Sequence, residues 1–211
     1  MTDAQRAPMP GAEDLTDHLR ERWSVSVFDD AHTLTPEQIR LLLEAARWAP
    51  SAGNSQPWSF LVATRGSTVH EVLVKHLSRG NSGWVPRASA VFITLAQTGS
   101  DPDDPNGKGL KSPAHAFYDV GQAAAHLTVQ AAALGLSSHQ FAGFDHDAVA
   151  AELGVPDWWR VMTGIAVGVH GDPAEVDPSD AAREQRERSR RPLAEIAYAE
   201  RWGQSWECST A

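Results

Sequence analysis

Apolar positions change their period several times along this chain, and each change marks an element. Leu15 and Leu19 stand four apart among charged residues, which predicts a short helix from Asp14 to Arg22. Ile39, Leu42, Leu43 and Ala46 form one helical face. Ahead of them Thr35 offers an N-cap, Pro36 suits the first helical position and Gln38 completes a capping box. This helix runs to about Trp48 and stops at Pro50. Trp58 to Thr64 reads as a strand and Ser67 to Leu77 as a helix. Ala90 to Ala96 is a continuous apolar run suited to the centre of a sheet. Ser112 to Gly135 reads as a long helix with clustered alanines. Asp119, Gln122, His126 and Gln130 break its apolar pattern, as in a core or interface helix rather than a membrane one. Asp145 can cap a helix ending near Leu153-Gly154. Arg160 to Val169 is a third strand, in which Gly164 and Gly168 suggest close packing. The stretch from Asp172 to Glu187 is polar.

Composition narrows the classes. The chain has 211 residues, 42% hydrophobic and 21% charged, with a net charge of −9. That reads as one soluble, globular domain after a Pro-, Ala- and Gly-rich, disordered tail at 1–13. The acidic balance argues against nucleic acid as a main partner. No apolar run reaches about 18 residues, so no membrane span is expected. Met1 to Gly11 has no apolar signal region, and the single cysteine, Cys208, allows no intrachain disulfide. Both fit a cytoplasmic protein. The nine histidines are scattered without metal-ligand spacing, and no Gly-x-Ser-x-Gly elbow occurs. No metal is expected, and redox chemistry would need an organic cofactor.

Two stretches carry candidate chemistry. Ala49-Pro50-Ser51-Ala52-Gly53-Asn54-Ser55-Gln56-Pro57-Trp58 joins a helix to a strand. Its prolines preset the backbone, Gly53 permits a conformation closed to other residues, and Ser51, Asn54, Ser55 and Gln56 supply donors and acceptors. An ordinary surface loop has the same composition. Upstream, Arg22-Trp23-Ser24-Val25-Ser26-Val27-Phe28-Asp29 ends the first helix. Arg22 there reads either as a solvated charge favoured by the helix dipole or as a phosphate clamp. Together the two stretches resemble the nitroreductase family of FMN-dependent oxidoreductases, with its Arg-x-Ser-x-(Arg/Lys)-x-Phe motif, a helix, and Ala-Pro-Ser-x-x-Asn-x-Gln-Pro-Trp. The resemblance continues into Gly143-Phe144-Asp145 and covers residues 14–206, which implies one domain there and a short tail at 207–211.

The resemblance implies an α+β, three-layer fold: a mixed, mainly antiparallel sheet flanked by helices, with a C-terminal extension wrapping a partner subunit. It implies an intertwined homodimer with FMN at the interface, NAD(P)H as co-substrate and a small organic acceptor such as a nitroaromatic or quinone, by ping-pong hydride transfer. FMN carries the chemistry, so no catalytic side chain is assigned. The implied cofactor-binding set begins with Arg22, Trp23, Ser24 and Ser26. Arg188 and Arg190 would join Arg22 and Ser24 at the phosphate, with Arg191 a close competitor. The arginine cluster from Arg183 to Arg191, taken alone, also reads as a solvated face. Pro50, Ser51, Ala52 and Asn54 would face the flavin from the partner. Asn81, Gln140, Ala142 and Gly143 would lie near the ring. Trp202 to Trp206 would be covered by the partner, and the Gly99–Gly109 loop would overlie the cofactor.

One departure matters. Ser26 stands where the family motif has a second basic residue, on the N1/O2 side of the flavin. Without that cation reduction should be harder by roughly 1–3 kcal/mol unless Lys75, Arg79 or Arg87 stands in. This keeps open a flavin-sequestering protein with little turnover, and an FMN-dependent oxidase or dehydrogenase on the same scaffold.

Overall fold

The computed structural model describes residues 11–103, 112–184, 186 and 188–206. Its centre is a four-stranded sheet in the order β1-β2-β4-β3, with β1 at Trp58–Thr64, β2 at Ala90–Gln97, β3 at Ser137–Phe141 and β4 at Trp159–Gly168. All three strand pairs are antiparallel. The expected mixed character comes down to one parallel bridge, Ser24 to Ser138.

Alternation along β2 explains why the sheet is covered on both faces. Val91, Ile93 and Leu95 join a core with Leu73 and Val149. Leu73 lies on α3 (Thr68–Lys75) and Val149 on α5 (His146–Glu152). Ala90 and Phe92 face the other way, into a core with Leu42, Ala46, Ala123 and Leu127. Those come from α2 (Pro36–Arg47) and α4 (Pro113–Ala133). A strand buried on both sides reads as one apolar run, as Ala90–Ala96 does. The layers are therefore helix, sheet, helix, and the expected α+β class holds.

Local signals explain the ends. Gln38 N–H donates to the Thr35 hydroxyl and Thr35 N–H to the Gln38 side chain, closing the capping box of α2. Asp145 accepts from Ala148 N–H at the start of α5. α1 is shorter than expected, at Asp17–Glu21. Gly164 and Gly168 pack as expected: a Cβ at Gly164 would lie 2.5 Å from Phe141 Cζ, and one at Gly168 would lie 3.0 Å from Phe28 Cδ1.

Two elements escape the sequence pattern. β3 (Ser-Ser-His-Gln-Phe) lacks the apolar alternation of a half-buried strand. The polar stretch after Asp172 contains a sixth helix, α6, at Pro178–Glu184. Asp177 accepts from Ser179 N–H, and Pro178 follows it at the first helical position. An Asp-Pro start of this kind is a helix signal that the polarity of the stretch hides. Cys208, part of the Gly99–Gly109 loop and most of the 1–13 tail lie outside the described residues.

Candidate functional site

Four segments wall a cavity of about 550 Å³. The first is the extended strap after α1, which contributes Arg22, Trp23, Ser24 and Ser26. The second is the turn after α3, with Gly80, Asn81 and Trp84. β3 supplies His139, and the chain in and after α6 supplies Arg183, Arg186, Arg188, Ser189 and Arg190.

Charge is the cavity's main property. Five arginines line it, although the whole chain carries −9. Burial holds the Arg22 guanidinium below the ordinary arginine range, and repulsion from Arg190 adds to this. Among the described residues, Arg22 and Arg190 have no carboxylate within ion-pair distance. Cations held together against their repulsion favour an anion between them. Arg188 Nη1 donates to the Arg22 carbonyl at 3.0 Å, tying the C-terminal arm to the strap.

The walls are fixed from behind. Trp84 stacks on His139 at 4.2 Å between ring centroids. His139 Nδ1 lies 2.7 Å from the Val25 carbonyl, so Nδ1 bears the proton and Nε2 is the acceptor of a neutral ring. Burial lowers the His139 pKa, and nearby Arg183 and Arg22 add to the shift. Asn81 Nδ2 donates to the Gly143 carbonyl at 3.0 Å, and Trp84 Nε1 donates to Asn81 Oδ1 at 3.2 Å. A Cβ at Gly143 would meet Asn81 Nδ2 at 2.5 Å, so only glycine allows this approach.

The Pro50–Trp58 loop lies elsewhere. It leads into β1 at one edge of the sheet, whereas His139 is on β3 at the other edge. Three strand spacings, about 14 Å, separate those edges. Pro50, Ser51, Ala52 and Asn54 do not line the cavity. The loop is nevertheless built. Gly53, Asn54 and Gln56 have φ of 60°, 55° and 50°, and Gln56 N–H is held by the Ser51 hydroxyl at 3.0 Å. Ala52 N–H donates at 3.0 Å to buried Asp119 of α4, which gives that interruption of the α4 pattern its use.

The remaining candidates fall in three places. Gln140 does not line the cavity; its amide donates to Thr128 on α4 at 2.9 Å. Ala142 is exposed, next to Gly143. Arg191 is exposed and does not line the cavity. None of the suggested replacement cations for residue 26 lines it either. Lys75 pairs with Glu152 at 2.6 Å, Arg87 pairs with Asp30 at 2.9 Å, and Arg79 is exposed.

Beside Ser26 stands a group that the sequence did not mark. Glu184, the last residue of α6, is buried. Its carboxylate accepts from Ser26 N–H, from Val27 N–H at 3.0 Å, from Trp23 Nε1 at 3.3 Å and from His170 Nε2 at 3.1 Å. Burial pushes its pKa up, but the bonds from His170, Ser26 and Trp23 outweigh this and leave it below 4.5. Among the described residues no group of three His, Cys, Asp or Glu is placed to hold a metal, and no helix is long and apolar enough to cross a membrane.

Comparison with known proteins adds an independent line. The model of the nitroreductase family matches residues 19–81 and 68–169. The chain is 39% identical over 127 residues to an uncharacterized 15.4 kDa protein in the ask 5' region of Mycolicibacterium smegmatis, covering 60% of this chain and 80% of that one. It is 24% identical over 195 residues to an oxygen-insensitive NAD(P)H nitroreductase of Salmonella typhimurium, covering 74% and 89%. A crystal structure of an oxidoreductase containing FMN superposes with a TM-score of 0.83 at 30% identity, over 97% of this chain and all of that one (100%).

Proposed function

Because the chain belongs to the nitroreductase family, we propose that it is an FMN-dependent oxidoreductase that takes hydride from NAD(P)H and passes it to a small organic acceptor. The observation that carries this reading is the arginine-walled cavity in an acidic protein. Arg22, Ser24, Arg188 and Arg190 present guanidinium and hydroxyl groups suited to a phosphate monoester. The repulsion between Arg22 and Arg190 is the kind that a bound dianion relieves. Asn81 and Gly143, already bonded to each other, stand next to that cluster and would meet the ring edge. FMN, when bound, supplies the hydride chemistry; the chain holds, orients and shields it. NAD(P)H and a nitro-type acceptor come from the Salmonella relative's name and from the family.

We further propose that the working unit is a homodimer in the cytoplasm. Each Pro50–Asn54 loop then completes the cavity of the other chain. Large apolar side chains support this: Trp202 is 88% exposed and Trp48 72%, and Leu193 and Ile196 of the C-terminal arm are exposed too. Faces of this kind are usually covered by a partner.

The deciding experiment is a visible spectrum of the purified protein, with FMN added if needed, followed by NADPH or NADH without oxygen. A bound flavin that bleaches supports the reductase. A flavin that stays yellow moves the assignment to sequestration or to an oxidase, a reading that Ser26 favours because it puts no cation at that end of the cavity. Failure to take up FMN overturns the assignment.

A further inference from the structure

Helix α6 touches two walls of the cavity at once. On one side, Glu184 receives the backbone N–H groups of Ser26 and Val27 and the Trp23 indole. On the other side, Arg183 Nη1 donates to the Gly80 carbonyl at 2.8 Å, and a Cβ at Gly83 would lie 2.7 Å from Asp180 Oδ2. The chain leaving α6 then supplies Arg186, Arg188 and Arg190. The strap is otherwise extended chain with no helix of its own, so its N–H groups need an outside acceptor. One carboxylate provides it for two consecutive residues.

We infer that Glu184 is a positioning residue for the cofactor phosphate: by clamping the strap it holds Arg22 and Ser24 in register with the arginines that follow α6. This rests on the FMN reading above. Glu184 does not line the cavity, so it acts through the backbone it binds. A carboxylate bonded to backbone N–H groups is a charge-assisted contact, among the stronger hydrogen bonds in a protein. Without it the buried N–H groups at 26 and 27 must find water, and the strap must move to let water in.

Four variants and one titration test this, with FMN as the probe and quenching of flavin fluorescence as the readout. E184A should bind FMN roughly 30-fold more weakly. E184D keeps the charge but withdraws it by one methylene, and should bind about tenfold more weakly. E184Q keeps an oxygen for Ser26 and Val27 and should bind within about fivefold of wild type. Thr94→Val, which removes a buried hydroxyl bond to Thr163 in the sheet, should lower the melting temperature yet leave FMN affinity within about twofold. This order, with geometry outranking charge and general loosening without effect, is the signature of positioning. E184D binding as tightly as wild type overturns the inference, whether or not E184A folds. A loss in Thr94→Val as large as in E184A also overturns it. Wild type that takes up no FMN overturns the cofactor reading itself, and is thereby told apart from failure of this inference alone.

Discussion

The Pro50–Trp58 loop and the arginine cavity are both polar and both held in a defined shape, yet they are made in opposite ways. The loop is local. Its shape comes from ten consecutive residues, three of them left-handed, tethered by Ala52 N–H to Asp119 and by the Pro57 carbonyl to Gln97 N–H. Gln56 holds a left-handed φ that costs a non-glycine residue on the order of 1 kcal/mol. The cavity is non-local. Its strap and its carboxylate clamp are 158 residues apart, and each wall comes from a different element. A local motif needs few distant partners to take its shape. A non-local one exists only when the whole chain has folded. The two lie at opposite edges of one sheet and do not meet within one chain; in the proposed dimer each chain would supply one half of each of two sites.

In the proposed dimer, defects in the loop and in the cavity should complement each other. Arg22→Ala should weaken FMN binding about 50-fold by removing a phosphate contact, and Asp119→Ala should do comparable damage by releasing Ala52. Mixed dimers of the two should recover about one site in two, since one cavity and one loop then remain intact together. Titrating refolded mixtures with FMN measures this; no recovery would mean that loop and cavity serve the same chain. Next in size, Asp119→Ala should cost about 1 kcal/mol in urea unfolding, because a half-buried N–H loses its acceptor. Ser26→Arg would place a cation beside the cavity and raise the potential of bound flavin by roughly 20–60 mV, the equivalent of about 1–3 kcal/mol for two electrons. An unchanged potential would remove Ser26 from the account.

The smallest effect is on acid stability. The pKa of Glu184 is lower in the folded protein than in the unfolded chain. The unfolded chain therefore takes up the proton first as pH falls. The stabilisation is complete above 4.5 and disappears as pH drops through the lower folded value. His139, also depressed in the folded protein, adds a loss that begins below 6.5. E184Q should flatten only the lower limb of a melting-temperature profile against pH. Flattening of the limb near pH 6 would point to another group.

What the sequence revealed follows the same division. The capping box of α2, the buried run of β2, the Asp145 cap and the glycine of the loop are all written in neighbouring residues. So was the family resemblance, carried by two short motifs. β3 stayed hidden because its polar side chains find partners that lie far off in sequence, as His139 does at Val25 and Gln140 at Thr128. Glu184 stayed hidden for the same reason: among the charges after Asp172 nothing distinguishes a buried acceptor from a solvated one. Its partners are backbone N–H groups, which leave no mark in a sequence.

The distance between the strap and Glu184 also sets an order of events during synthesis. A ribosome adding about 5–20 residues per second needs roughly 8–30 s to travel from Ser26 to the residue that will hold it. The Pro50–Trp58 loop and the first strand can form in that interval, while the arginine wall has not yet been made. The cavity therefore belongs to the finished chain, and a truncation before α6 would keep the loop's residues but lose the arginine wall.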